Sequence, residues 1–263
     1  MKQLYGGYSV RTTVRADPEN KRDLSFLTSL PGAAEKLKIL SADLSDPNSF
    51  DAVIEGSKAV LYVATPVDFQ NKESEEAITE RLINGAPKRT FLHYLTERAV
   101  LDFGAQHGLD VVTVIPSFVV GPFICPKFPG SVRTSLALFY TEKMQCAKAG
   151  KLNSTGNQSE YSFLLNFSMV HVDDVARAHI FLLEYPDAKG RYNCSSDTIS
   201  LEKLSEFLGG KYPEFPIPSP ESLGEIKGMK CPGLSSKKLL ETGFEFKNGV
   251  EEMFDGAIQC CSS

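Results

Sequence analysis

Short apolar stretches alternate with amphipathic ones through the first 120 residues. Tyr8–Arg15 (YSVRTTVR) alternates apolar and polar positions and is rich in β-branched residues, which predicts a strand. Asp23–Leu30 carries Leu24, Leu27 and Leu30 at helical spacing and is stopped by Pro31-Gly32. Leu37–Leu44 predicts a second strand, and Asp46-Pro47 opens a short helix over Ser49–Glu55. Ala59–Ala64 (AVLYVA) is almost wholly apolar, the pattern of a strand buried on both faces of a parallel sheet, and Pro66 ends it. Helices are predicted over Glu75–Ile83 and Thr96–His107, the second stopped by Gly108, and Asp110–Pro116 (DVVTVIP) predicts another buried strand. Strands separated by helices at this spacing predict an α/β fold on a parallel sheet, with a mixed α+β domain as the alternative.

The second half changes character. Gly121–Gly130 is a proline-rich loop, and Lys143–Glu160 is polar, without periodicity, and reads as an inserted loop of unusual length. Asp173–Glu184 predicts a helix capped by Asp173 or Asp174, and Gly190–Cys194 a short strand. Ser200–Leu208 predicts a helix with Leu201, Leu204, Phe207 and Leu208 facing inward, followed by the proline-rich run Pro213–Pro220. Two last helices are expected, Ser235–Thr242 stopped by Gly243, and Val250–Cys261. The simplest organisation is a partial Rossmann-like unit over residues 1–120, then a smaller, mostly helical lobe over 121–263 mixed with returning sheet segments.

Composition narrows the classes. Hydrophobic residues make up 42% and charged residues 23%, an ordinary globular profile. The net charge of −5, with no basic block, argues against a nucleic-acid partner. No apolar run approaches the roughly 20 residues of a membrane helix, and residues 1–15 lack the order of a signal peptide. A cytoplasmic location follows as the expectation. None of the six cysteines forms a Cys-x-x-Cys pair, so free thiols in a reducing compartment are expected rather than a zinc or redox site.

In an α/β sheet, ligands gather at the carboxyl ends of the strands. The first strand ends at Arg15, with Arg22 close by; two guanidinium forks there suit a phosphate, and a solvated charged turn is the alternative. Asp43 ends the second strand, where a carboxylate could accept from an adenine amine. The glycine-rich turn that cradles a pyrophosphate is absent: Gly6-Gly7 is the only early pair and no strand precedes it. His171 and His179 straddle a helix start instead of sharing a face, so no metal site is expected.

Several longer segments carry a resemblance. They are GYSVRTTVRADPENKRD (7–23), ADLSDPNSFDAVIEG (42–56), VATPVDF (63–69), VVTVIPSFVVGPF (111–123), MVHVDDVARAHIFLLE (169–184), GRYNCSS (190–196) and FEFKNGVEEMFDGAIQCC (244–261). In this order the chain resembles the plant extended short-chain dehydrogenase/reductases of flavonoid metabolism: dihydroflavonol reductase, anthocyanidin reductase and, nearest in pattern, vestitone reductase. The resemblance implies NADP(H)-dependent reduction of a flavonoid-type ketone on a Rossmann-type sheet, with the smaller lobe over the substrate. On matching positions Arg15 and Arg22 would hold the 2′-phosphate, Asp43 and Leu44 would line the adenine, and Val63, Ala64 and Thr65 would pass beneath the cofactor. Pro116, Phe118 and Val119 would sit by the nicotinamide, and Ser168 stands at a substrate-pocket position.

Two departures stand out against that family. MKQLYGGYSV looks like the end of the family's first helix, so the first strand and its glycine turn are missing and the sheet is expected to be incomplete. The family's Ser and Tyr-x-x-x-Lys are also missing, because Asn84–Arg89 runs almost directly into Leu95–Val100; no catalytic residue is therefore assigned. Tyr185 alone has a lysine four residues on, Lys189, in an expected turn; Tyr94 with Arg98 has helical spacing but the wrong place. The expectation is a reductase scaffold with impaired catalysis, or a non-catalytic product that binds nucleotide weakly or not at all.

Overall fold

The computed structural model describes residues 7–14, 23–42, 47–61, 101–102, 104–106, 108–125, 129–139, 165–224, 226 and 233–262. Val10–Val14 (β1) and Leu37–Ser41 (β2) form a parallel pair, with Val10 opposite Leu37 and Val14 opposite Ser41. Two single-turn helices, Ser25–Thr28 (α1) and Ala33–Lys36 (α2), make the crossover that a parallel pair requires. A 3₁₀ turn over Pro47–Phe50 leads into Asp51–Ile54 (α3). The Arg11 guanidinium of β1 donates to the carbonyls of Ala52, Val53 and Glu55, satisfying acceptors that the end of α3 leaves open.

The stretch after α3 departs from expectation. Residues 59–61 form no strand, and Val60 and Leu61 are 60% and 55% exposed. A doubly buried strand needs neighbours on both edges, and among the described residues none pairs with this segment. The rest of that expected strand, the helix at 75–83 and the loop at 143–160 lie outside the described residues. Helical residues at 101–102 and 104–106 match the expected helix, and Gly108 follows with φ of +65°, the left-handed geometry of a helix stop.

Val112–Pro116 (β3) is parallel to Gly190–Cys194 (β6), with Pro116 opposite Cys194. It is half-buried, not enclosed, because among the described residues only one of its edges is paired. Phe118–Val120 (β4), Asn166–His171 (β5) and Asp197–Ser200 (β7) form a mixed three-stranded sheet in the order β4-β5-β7. The β4-β5 pairing is parallel and the β5-β7 pairing antiparallel. Residues 118–120, 166–171 and 197–200 were not expected as strands: β4 lies in a motif broken by Pro116 and Gly121, and β7 is four residues long and carries Asp197 and Ser200. Among the described residues the three sheets remain separate.

Helices cover these sheets. Gly130–Ser135 (α4) follows the proline-rich loop, and Val172–Glu184 (α5) follows β5 directly. Leu201–Lys211 (α6) has Leu201, Leu204 and Leu208 buried on one stripe, and its Ser200 cap accepts from the Lys203 amide at 3.4 Å. Pro220–Leu223 (α7) begins at a proline after Ser219, and Lys237–Leu240 (α8) stops before Gly243. Val250–Ser262 (α9) is the last helix; the Glu252 carboxylate accepts from the Gly249 amide at 2.9 Å, one half of a capping box.

Two apolar clusters result. The larger joins β4, β5, α6 and α9 around Phe139, whose ring meets Tyr212, Phe215 and Phe254 at 5.5, 5.3 and 6.3 Å. The smaller places α5 against β3 and β6 through Ala178, Leu182, Tyr192 and Phe244. Asp174 is fully buried on α5. Its carboxylate accepts from the amides of Lys247 and Asn248 at 3.1 and 2.9 Å, from the Asn248 side chain at 3.1 Å and from Arg177 at 2.6 Å.

Removing this buried acceptor leaves the half-buried Arg177 and the 247–248 amides without their partner. Asp174→Ala should cost about 3–5 kcal/mol in urea unfolding, the range for breaking a buried pair from one side. At Gly256 of α9, an added Cβ would lie 2.6 Å from Pro122 Cδ and 3.1 Å from Pro122 N. Alanine ordinarily stabilises a helix by about 1 kcal/mol over glycine; Gly256→Ala should instead lower the urea midpoint, because overpacking costs about 1–3 kcal/mol.

Candidate active-site strand ends

The chain leaves β3 at Pro116 and changes partner within two residues. The Ser117 amide donates to the Cys194 carbonyl at 3.1 Å, and Phe118 then begins pairing with Met169 of β5. Pro116–Val119 therefore lies at the carboxyl end of one parallel pair and at the point where the chain crosses to the next sheet, a favoured place for ligands in α/β folds. Phe118 packs edge-on against Phe167, with ring centroids 5.8 Å apart. The Val119 carbonyl accepts from the Ser131 hydroxyl at 2.8 Å, which ties α4 to the strand end.

Among the described residues, one polar group at this junction has no partner. The Ser117 hydroxyl oxygen is buried and makes no hydrogen bond to any described residue. A buried hydroxyl without a partner costs about 1–3 kcal/mol, so its position suits a ligand or water that supplies one. The thiol of Cys194, across from Pro116, is pushed up to about 12 by burial and, secondarily, by the Asp174 charge, so it stays protonated.

The far end of β4 is held by close packing. Gly121 has φ of +135°, and a Cβ there would lie 3.0 Å from His171 Nε2 and 3.1 Å from Val172 Cγ1. His171 Nδ1 accepts from the Asp173 amide at 3.1 Å, which makes His171, not Asp173 or Asp174, the cap of α5. Asp174 was unavailable as a cap because its carboxylate turns inward to the 247–248 amides. Burial lowers the His171 pKa, while the charges of Asp173, Asp174 and Glu252 push it the other way.

Of the expected site residues, Pro116, Phe118 and Val119 come together at this crossing. Ser168 lies on β5, where its hydroxyl is 2.8 Å from that of Thr198 and accepts from the Leu234 amide at 3.1 Å. It thus joins β5, β7 and the segment before α8. Arg15, Arg22, Asp43, Leu44, Val63, Ala64 and Thr65 lie outside the described residues, as do Tyr94 and Arg98. Tyr185 follows the last turn of α5 and stacks on Phe181 at 5.8 Å, while Lys189 lies beyond the turn closed by the Ala188 amide on the Tyr185 carbonyl. The two do not share a helical face. His179 turns its Nδ1 to the Val175 carbonyl at 2.7 Å. Sequence reasoning passed over Ser117 and Ser131; Ser117 stands inside the quoted segment 111–123, between two residues that were singled out.

Comparison with known proteins decides the family. The NAD dependent epimerase/dehydratase family matches residues 93–195. Vestitone reductase of Medicago sativa is 42% identical over 311 aligned residues, covering 98% of this chain and 90% of the relative. The chain belongs to the plant extended short-chain dehydrogenase/reductases. A dihydroflavonol 4-reductase of Hordeum vulgare in this family is 33% identical, covering 99% of the chain and 84% of the relative. The crystal structure of alfalfa vestitone reductase superposes with a TM-score of 0.76 at 39% identity, covering 99% of this chain and 92% of that one. A nucleoside-diphosphate-sugar epimerase of Pseudomonas aeruginosa, at 14% identity and a TM-score of 0.62, shares the fold over 98% of this chain and 90% of that one. The reductase family is NAD(P)-linked, and the parallel strand pairs flanked by helices agree with its Rossmann-type architecture.

The capping role of His171 has a pH consequence. Its folded pKa lies below the ordinary 6.5, so between those two values the unfolded chain binds a proton that the folded chain excludes. Stability should fall as the pH drops through about 6.5 and level off below the lowered folded value. His171→Asn keeps an acceptor for the Asp173 amide and removes the titration. Urea midpoints at neutral and mildly acid pH should converge in this variant relative to the parent chain.

Proposed function

We propose that this chain is by descent an NADPH-linked reductase of flavonoid-type ketones, cytoplasmic, whose own catalysis is impaired. The relation to vestitone reductase across 90% of that protein's length carries the reading. Bound NADPH would supply the hydride for the ketone carbon. Pro116, Phe118 and Val119 would flank the nicotinamide, and the unpartnered Ser117 hydroxyl is a polar group of the kind a carboxamide-bearing ring could engage. Arg15 and Arg22 would hold the 2′-phosphate, and Asp43 and Leu44 the adenine, with Val63, Ala64 and Thr65 beneath the cofactor. Ser168 would meet substrate only by giving up its contacts to Thr198 and Leu234.

The impairment rests on what the family's chemistry needs. Reduction requires a proton for the carbonyl oxygen as well as a hydride, and a positioned donor contributes about 10²–10⁴ in rate. The passage from Pro87 to Tyr94 leaves no Tyr-x-x-x-Lys there, and Tyr185 with Lys189 cannot replace it from a turn. The aligned stretch with vestitone reductase, 311 residues, is longer than this 263-residue chain, so the relative carries residues within it that have no counterpart here. That same observation favours a second reading, a nucleotide binder without turnover.

Thermal melting with NADPH and NADH, paired with turnover of a flavanone and isoflavanone panel, tests both parts. NADPH at 100 times its Kd should stabilise the chain by about 2.7 kcal/mol, NADH by less, and Arg15→Ala should remove the difference. Turnover should lie at least about 100-fold below that of alfalfa vestitone reductase assayed alongside. Turnover equal to that relative's would overturn the impairment, and the absence of any NADPH-dependent shift would overturn cofactor binding.

A further inference from the structure

The segment that holds Asp174 contains a chemically labile bond. Asn-Gly occurs twice in the chain, at 84–85 and 248–249, and the second pair lies among the described residues. Asparagine is thermally labile, and most so before glycine, where no Cβ shields the following amide nitrogen from the side-chain carbonyl carbon. The fold itself does not require glycine at residue 249. Its φ is not positive, and an added Cβ would meet only Glu252 Oε2, at an ordinary 3.6 Å.

Both groups that would react are engaged elsewhere in the folded chain. The Asn248 side-chain amide donates to Asp174 Oδ2 at 3.1 Å, and the Asn248 backbone amide donates to the same oxygen at 2.9 Å. The Gly249 amide donates to Glu252 Oε2 at 2.9 Å. Hydrogen bonds from the Glu252 and Gly249 amides hold that carboxyl below the usual carboxylate range, so it remains an ionised acceptor.

We propose that Asn248 is a deamidation site, held back by these contacts, whose conversion releases the Asp174 anchor. When the segment opens, the Gly249 backbone nitrogen attacks Asn248 Cγ. The new N–C bond closes a succinimide ring, the Cγ–Nδ2 bond breaks, and the Gly249 amide proton leaves with Nδ2 as ammonia. Water then adds to one of the two ring carbonyls, giving aspartate or isoaspartate; no oxidant or reductant takes part. Both products lose the Nδ2 donor and gain a carboxylate beside the fully buried Asp174, where like charges repel strongly. Isoaspartate also lengthens the main chain by a methylene between the Lys247 and Gly249 amides, which donate to Asp174 and Glu252. The site is independent of carbonyl reduction and of NADPH.

Peptide mass spectrometry of the full chain, kept warm in mildly alkaline buffer with and without guanidinium chloride, tests this. Asn248 should convert at least about tenfold more slowly in the folded chain, because only the open fraction reacts. Glu252→Ala removes an exposed carboxylate and should speed folded-state conversion about 2–10-fold, the worth of one hydrogen bond. Gly249→Ser places a favoured cap at the start of α9 and should slow conversion even in guanidinium chloride. The urea midpoint of the parent chain should fall in step with the converted fraction. Asn248→Asp should have a lower midpoint than Asn248→Ala, because it adds a charge where alanine only removes a donor. Equal rates in the folded and unfolded chain, no conversion in the unfolded chain, or an Asn248→Asp midpoint at or above that of Asn248→Ala would each overturn the proposal. Should Asn248→Asp give no cooperative transition, the aged parent chain decides: a midpoint unmoved by conversion overturns release of the anchor.

Discussion

The buried carboxylate of Asp174 is the constraint on which the C-terminal half depends. It takes hydrogen bonds from the turn before α9 and an ion pair from Arg177, so one side chain holds α5, that turn and the start of the last helix together. Arg177 also lies 5.3 Å over the Phe244 ring, which draws the smaller apolar cluster into the same arrangement. A carboxylate carried this far from water needs several donors, and here the backbone supplies two of them. The network therefore ties α5, which carries part of the smaller apolar cluster, to the turn before α9, which carries part of the larger one.

From this anchor the strand-end junction inherits its shape. α9 presses on Pro122, His171 presses on Gly121, and Ser131 holds Val119. Each contact fixes backbone, not a flexible side-chain tip. The links between α6 and α9 are of a different kind. Lys211 pairs with Glu251 and Asp255 near the surface, where ion pairs contribute little. The Tyr212 phenol donates to Asp255 at 2.5 Å, and burial, with help from that carboxylate, holds its pKa well above the ordinary value. The segment just before β1 touches the end of α5 through Tyr8, whose phenol donates to Glu184 at 2.8 Å.

Legibility in the sequence followed the range of the interactions. The helices with strong apolar spacing, α6 and α9, and the strands β1, β2, β3 and β6 could be read because local pattern and tertiary burial agree there. Val60 and Leu61 could not, because an apolar run reports what a segment would bury and not whether a neighbour stands beside it. The cap of α5 misled for a related reason. Aspartate is a common cap by local preference, but Asp174 answers to amides 73 and 74 residues away, a contact that no local window contains. Of the site, Pro116, Phe118 and Val119 were legible only through family resemblance; the unpartnered hydroxyl of Ser117 shows itself only in the folded chain.

The contact between Gly256 and Pro122 also sets the azimuth of the last helix. Successive residues of an α-helix point about 100° apart, and along α9 glycine occurs at residue 256 alone. A single residue inserted between Val250 and Met253 would turn a side chain toward the proline and swing Met253 and Phe254 out of the core. The phase set at Gly256 is carried on to Ala257 and Cys261, which are buried in the same apolar cluster.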